Sequence, residues 1–155
     1  MILNRQRRVR VSVRDLDKFL GRALRRLRLP ARALTVCLVD NVEMARWNRA
    51  YRGKKGPTDV LSFPTNGAQR NRPRLTAPNR PKSAWPVVSN SYLGDIAIAP
   101  AVARRNARRF GRTFDDELRI LILHGVLHLM GYDHETDEGQ MDRRELSLRR
   151  ECGLA

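Results

Sequence analysis

Apolar and polar positions along the chain fall into short segments with distinct periods. Val9-Arg10-Val11-Ser12-Val13 alternates, which predicts a half-buried strand over 9–13. From residue 15 to about 29, Leu16, Phe19, Leu20, Ala23, Leu24 and Leu27 recur at helical spacing with arginines on the opposite side, and Pro30 ends the helix. The run at 33–39 is continuously apolar and of strand length, so it is expected to be buried on both faces. Asp40 or Asn41 can cap a helix over 42–51. A loop at 53–57 leads into a strand at 59–63 that Pro64 ends, and 92–99 is a further strand, interrupted by Gly94-Asp95. Pro100 sits where a helix can begin and 101–110 continues it. Thr113 is placed to cap a helix to Met130, with Gly131 in a left-handed conformation behind it. Thr136 can cap a last helix to about residue 151. Residues 66–91 have almost no apolar period and are rich in Asn, Arg, Pro and Ser, which predicts a long, flexible, basic surface loop. Strands and helices alternate without internal repeat. The expected architecture is α+β: a single domain over 1–155, with a mixed sheet of about four to five strands packed with helices.

Composition narrows the class. A chain of 155 residues with 41% apolar and 30% charged residues can bury one core and is not a disordered tail. No run approaches the roughly 20 apolar residues of a membrane span, and the N-terminus has no apolar stretch of about 7 or more residues like a secretory signal. No membrane partner and a cytoplasmic location are therefore expected. Cys37 and Cys152 form no C-x-x-C pattern and read as idle thiols.

The formal net charge of +15 is unevenly placed. Residues 1–112 hold 26 basic and 6 acidic groups, whereas residues 113–155 hold 5 basic and 10 acidic groups. Of the 31 basic residues 27 are arginine, the side chain that forms forked bonds to phosphate. This points to nucleic acid or another anionic surface. Within the acidic segment lie all 3 histidines, in His124-Gly-Val-Leu-His128-Leu-Met-Gly131-Tyr-Asp133-His134. His124 and His128 are one turn apart on the predicted helix and share a face. A chain reversal at Gly131 brings His134 to the same point. Three neutral imidazoles there make a metal site with an open fourth position, the catalytic type. Burying three imidazoles together without something to share their lone pairs is costly. The spacing matches the long zinc-protease signature, a zincin-like metal helix, but Gly125 stands where the protease has its general-base glutamate.

The histidine block, together with Trp47-Asn48-Arg49-Ala50-Tyr51-Arg52, the run Pro57-Thr58-Asp59-Val60-Leu61-Ser62-Phe63-Pro64, and Leu93-Gly94-Asp95-Ile96, resembles the YbeY family of bacterial rRNA-maturation endoribonucleases. The resemblance spans about 9–152. It implies a metal-dependent, single-strand-specific endoribonuclease acting in 16S rRNA 3′-end maturation and ribosome quality control. Its partners would be ribosomal RNA and the small ribosomal subunit, with ribosomal or assembly proteins as further ones. It places the metal ligands at His124, His128 and His134, with one Zn²⁺ as the expected ion, and a catalytic arginine at Arg52. The loop at 66–91 is longer and more basic than usual for the family. Asp133 is a candidate either to orient a ligand imidazole or to cap the turn after Gly131. Glu135 is a weaker candidate base, and Asp59 and Asp95 are expected to hold loops. Arg46, Arg49, Lys54 and Lys55 are RNA-binding candidates, as are Arg5, Arg7, Arg8 and Arg10. Trp47, Tyr51 and Trp85 could stack bases or be core. Two other functions compete: a non-catalytic, zinc-stapled ribosome-assembly or RNA-binding factor, and a metallopeptidase, against which Gly125 counts.

Overall fold

The continuous apolar run at 33–39 becomes the interior of a sheet. In a computed structural model, which describes residues 1–65 and 92–154, the chain order is β1 (Ile2–Asn4), α1 (Val13–Arg26), β2 (Leu34–Leu38), α2 (Asn41–Arg52), β3 (Val60–Pro64), β4 (Gly94–Ile98), α3 (Pro100–Phe110), α4 (Phe114–Leu129) and α5 (Gln140–Glu151). The sheet order is β1-β2-β4-β3, with β1, β2 and β4 parallel and β3 antiparallel on the edge. The α+β, mixed four-stranded architecture is the expected one. The loop predicted at 66–91 lies outside the described residues.

Every residue of β2 and β4 is buried, as sheet strands covered on both faces must be. Leu34, Val36, Leu38, Ile96 and Ile98 pack with α1 and α4. The alternate residues Cys37 and Ala97 pack with Met44 and Trp47 of α2, and with Leu61 and Phe63 of β3. Burial pushes the Cys37 thiol up to about 12, so it stays protonated and inert.

Three elements differ from expectation. Strand β4 begins at Gly94 and runs unbroken through Asp95, so Gly94-Asp95 opens the strand and does not interrupt it. No strand forms at 9–13. The Gln6 side chain donates to Val9 O at 2.9 Å and accepts the Val9 N–H at 2.9 Å, closing a turn, and α1 already begins at Val13. The alternation there follows alternate burial without a partner strand. The strand that does pair, β1, holds three residues, too few to show a period. The last helix starts at Gln140, behind Gly139, and not at Thr136. Asp137 accepts the N–H groups of Gly139 (2.8 Å) and Met141 (2.9 Å), which fixes the later start.

Candidate metal centre and its cleft

Helix α4 is the scaffold of the site. Thr113 caps it by accepting the Asp116 N–H at 3.1 Å, and three acidic residues fill its first turn, where they complement the helix dipole. Between Leu121 and Leu129, His124 and His128 are the two positions that are not buried. Behind them Gly125 lies against β4: a Cβ there would sit 2.8 Å from Cδ1 and 2.9 Å from Cγ2 of Ile96. The position that bears the protease glutamate is therefore closed to a side chain unless buried Ile96 moves.

Gly131 has φ 101°, a conformation that favours glycine, and the Tyr132 N–H reaches back to Leu127 O at 3.1 Å. This reversal aims the Tyr132 carbonyl at Nδ1 of His128, 3.1 Å away, and returns His134 to the site. The ring centres lie 4.7 Å (His124–His128), 5.6 Å (His124–His134) and 5.3 Å (His128–His134) apart. One nitrogen from each ring lies within 4.8 Å of the others.

The outer side of the site fixes which nitrogens face inward. Nδ1 of His124 is 2.7 Å from Oε2 of Glu145 on α5, and the Arg149 guanidinium bonds the other carboxylate oxygen. Burial pushes the Glu145 carboxyl up, but the hydrogen bond from His124, the His124 charge and Arg149 outweigh it, so the group is held below its ordinary value. An ionised carboxylate and a peptide carbonyl only accept hydrogen bonds. Both Nδ1 atoms must therefore donate, and in the neutral imidazoles Nε2 carries the lone pair. The two Nε2 atoms are 3.1 Å apart. Lone pairs held that close, with a third imidazole beside them, fit a shared cation, and three nitrogen donors suit zinc. Glu145 is the residue that sequence reasoning missed. Its one signal is its place in the Met141–Glu145–Leu148 stripe, an acid where the buried face of α5 calls for an apolar residue.

The histidines open into a cleft of about 720 Å³, a volume in the range of ligand sites. Its other walls are the C-terminal end of α2 (Tyr51, Arg52), the loop residues Lys54, Thr58 and Asp59, and strand β3. Arg52 and Lys54 thus meet the histidines. Arg46, Arg49 and Lys55 are exposed but do not line the cleft, nor do Arg5, Arg7, Arg8 and Arg10, and Arg5 pairs with Glu43 at 3.2 Å. Arg52 lies 3.7 Å from Glu135, and both are exposed. Asp133 also lines the cleft, and its carboxylate accepts the Glu135 N–H at 3.1 Å. Asp59 accepts from Val60 N–H (2.8 Å) and Asn106 Nδ2 (3.0 Å), holding the cleft wall. Asp95 is buried and bonded by the Tyr92 hydroxyl, away from the histidines. Trp47 is buried edge-on to Phe63, so it is core and no stacking surface. Trp85 lies outside the described residues.

Three convergent imidazoles beside an arginine, in a cleft at the edge of a mixed sheet, define a site of the metallohydrolase class. The family model described as Endoribonuclease YbeY matches residues 1–152. An Endoribonuclease YbeY from Sulfurovum sp. is 40% identical over 126 residues, covering 81% of this chain and 76% of that protein. Another from Koribacter versatilis is 36% identical over 149 residues, covering 96% and 83%. The solution structure of a Thermotoga maritima protein superposes with a TM-score of 0.59 at 26% identity, covering 98% of this chain and 89% of that one. The chain belongs to the YbeY endoribonuclease family and is an RNA-cleaving hydrolase. Among the described residues no helix is long and apolar enough to cross a membrane.

Proposed function

We propose that the chain cuts single-stranded RNA with one zinc ion held by His124, His128 and His134, in 16S rRNA 3′-end maturation and ribosome quality control on the small ribosomal subunit in the cytoplasm. The observation that carries this is the pairing of inward Nε2 atoms with Arg52 in one cleft. The ion supplies Lewis acidity toward a phosphoryl oxygen or a water. The protein supplies the rest. Glu145 and the Tyr132 carbonyl hold the His124 and His128 rings in one tautomer and one orientation. Arg52 receives the scissile phosphate and stabilises the charge that builds up on it. Its contact with Glu135 is exposed and long, and pairs of that kind contribute about 0–1 kcal/mol, so a phosphate exchanges for Glu135 readily. Lys54 adds positive charge at the same mouth.

The test is metal analysis paired with cleavage of a 16S precursor. His124→Ala is expected to lose bound zinc and cleavage together. Arg52→Glu is expected to keep zinc and lose cleavage. A folded, metal-free preparation that cuts at the full rate overturns the proposal.

A further inference from the structure

The basic charge is not spent only at the cleft. Helix α3 presents Arg104, Arg105, Arg108 and Arg109 to solvent, and among the described residues no carboxylate pairs with them. At the end of this helix stands Phe110, 55% exposed. It is the one aromatic side chain among the described residues in the exposed class; the others are buried or half-buried. Two guanidinium groups lie against its ring, Arg109 at 5.7 Å and Arg112 at 5.1 Å from the centre. Arg112 is anchored: its Nη1 bonds Oε2 of Glu117 at 2.8 Å, and Glu117 is buried. The platform is therefore ordered before any ligand arrives, which spares the entropy of assembling it.

Its position relates it to the cleft. Asn106 bonds Asp59 in the cleft wall, and Arg109 and Phe110 follow Asn106 at i+3 and i+4, on the same side of the helix. One turn of about 6 Å separates Asn106 from Phe110 along the axis. We infer that Phe110, flanked by Arg109 and Arg112, is a stacking platform for a base of the single-stranded RNA outside the scissile position, with Arg109 on its phosphate backbone. An aromatic face takes any base, and the guanidiniums add cation–π and phosphate contacts, so the platform contributes affinity without sequence preference. An apolar protein partner fits less well, because Arg109, which no described carboxylate pairs, lies against the ring.

This inference rests on the RNA-cutting function proposed above, and the test separates the two. Binding of non-cleavable RNAs of about 4 and about 12 nucleotides is measured with the zinc-loaded protein, by direct titration. In the wild type the longer RNA binds more tightly. In Phe110→Ala that advantage is expected to shrink by about tenfold, while Phe110→Trp keeps it. Arg109→Ala is expected to lower the slope of log affinity against log salt by about 1. Equal length-dependence in Phe110→Ala and wild type overturns the platform, and so does a Phe110→Trp variant that loses as much as Phe110→Ala. A wild type that binds long RNA through Phe110 but never cuts RNA leaves the platform standing and removes the cleavage proposal.

Discussion

At the residue scale, the ring of His124 is held from behind by a side chain outside the three histidines. Glu145 is buried and takes the Nδ1 hydrogen of His124, and Arg149 compensates its charge. Such outer partners commonly account for 10–100-fold in metal affinity, because they fix the tautomer and raise ligand basicity. Glu145→Ala is therefore expected to weaken zinc binding by about that factor in a competition titration. The imidazole nitrogen resonances of His124 should shift toward a mixture of tautomers. Glu145→Gln keeps an acceptor oxygen and should recover part of the affinity. An affinity equal to wild type in Glu145→Ala would show that the site does not need this orientation. Sequence alone displayed the three histidines because their spacing is local to one helix and one turn. It did not display Glu145, because the approach of α5 to α4 is tertiary and an acid on a helix is common.

At the element scale, α4 does two things: it carries His124 and His128 on one side and packs against the sheet on the other. Its caps, length and stop were legible, since Thr113, the apolar run and Gly131 each act within a few residues of themselves. Helices α2 and α3 were legible for the same reason, with Asp40 accepting the Glu43 N–H at 2.8 Å and Pro100 opening α3. The start of α5 and the role of 9–13 were not, because side-chain bonds of Asp137 and Gln6 outweighed local preference there. The meaning of Gly125 also lay beyond sequence: a missing base was visible, but the contact with Ile96 was not. That contact sets the depth at which α4 lies on β4, and with it the height of His124 and His128 above β3. Gly125→Ala forces buried Ile96 to shift, an overpacking cost of about 1–3 kcal/mol set against the roughly 1 kcal/mol that alanine gains over glycine inside a helix, so a net loss of about 0–2 kcal/mol is expected in urea unfolding with an unchanged slope. A gain of about 1 kcal/mol, the full helix preference of alanine over glycine, would mean that α4 rides higher on the sheet than these distances place it.

At the scale of the whole molecule, the charge asymmetry becomes spatial. The basic segment supplies Arg52 and Lys54, the acidic one supplies the histidines, Asp133 and Glu135, and the fold brings both to one cleft. The same scale decides whether the ion could be a mere staple. A zinc-stapled domain unfolds when its metal is removed. Here Leu118, Ile122, Leu123, Val126, Leu127 and Leu129 of α4 are buried against the sheet and α1 in a core that includes none of the histidines, and Met141 and Leu148 bring α5 into the same core. The metal-free protein is therefore expected to stay folded. Zinc at 100 times its Kd would add about 2.7 kcal/mol through linkage. A domain of this size shifts by roughly 2–4 °C per kcal/mol, so chelation should lower Tm by about 5–10 °C. The far-ultraviolet dichroism at 25 °C should keep its helical signal. Collapse of that signal on chelation would make zinc a structural element and favour a non-catalytic role. Retention of the signal with loss of RNA cleavage places the ion's contribution in the chemistry and leaves the fold to the apolar core.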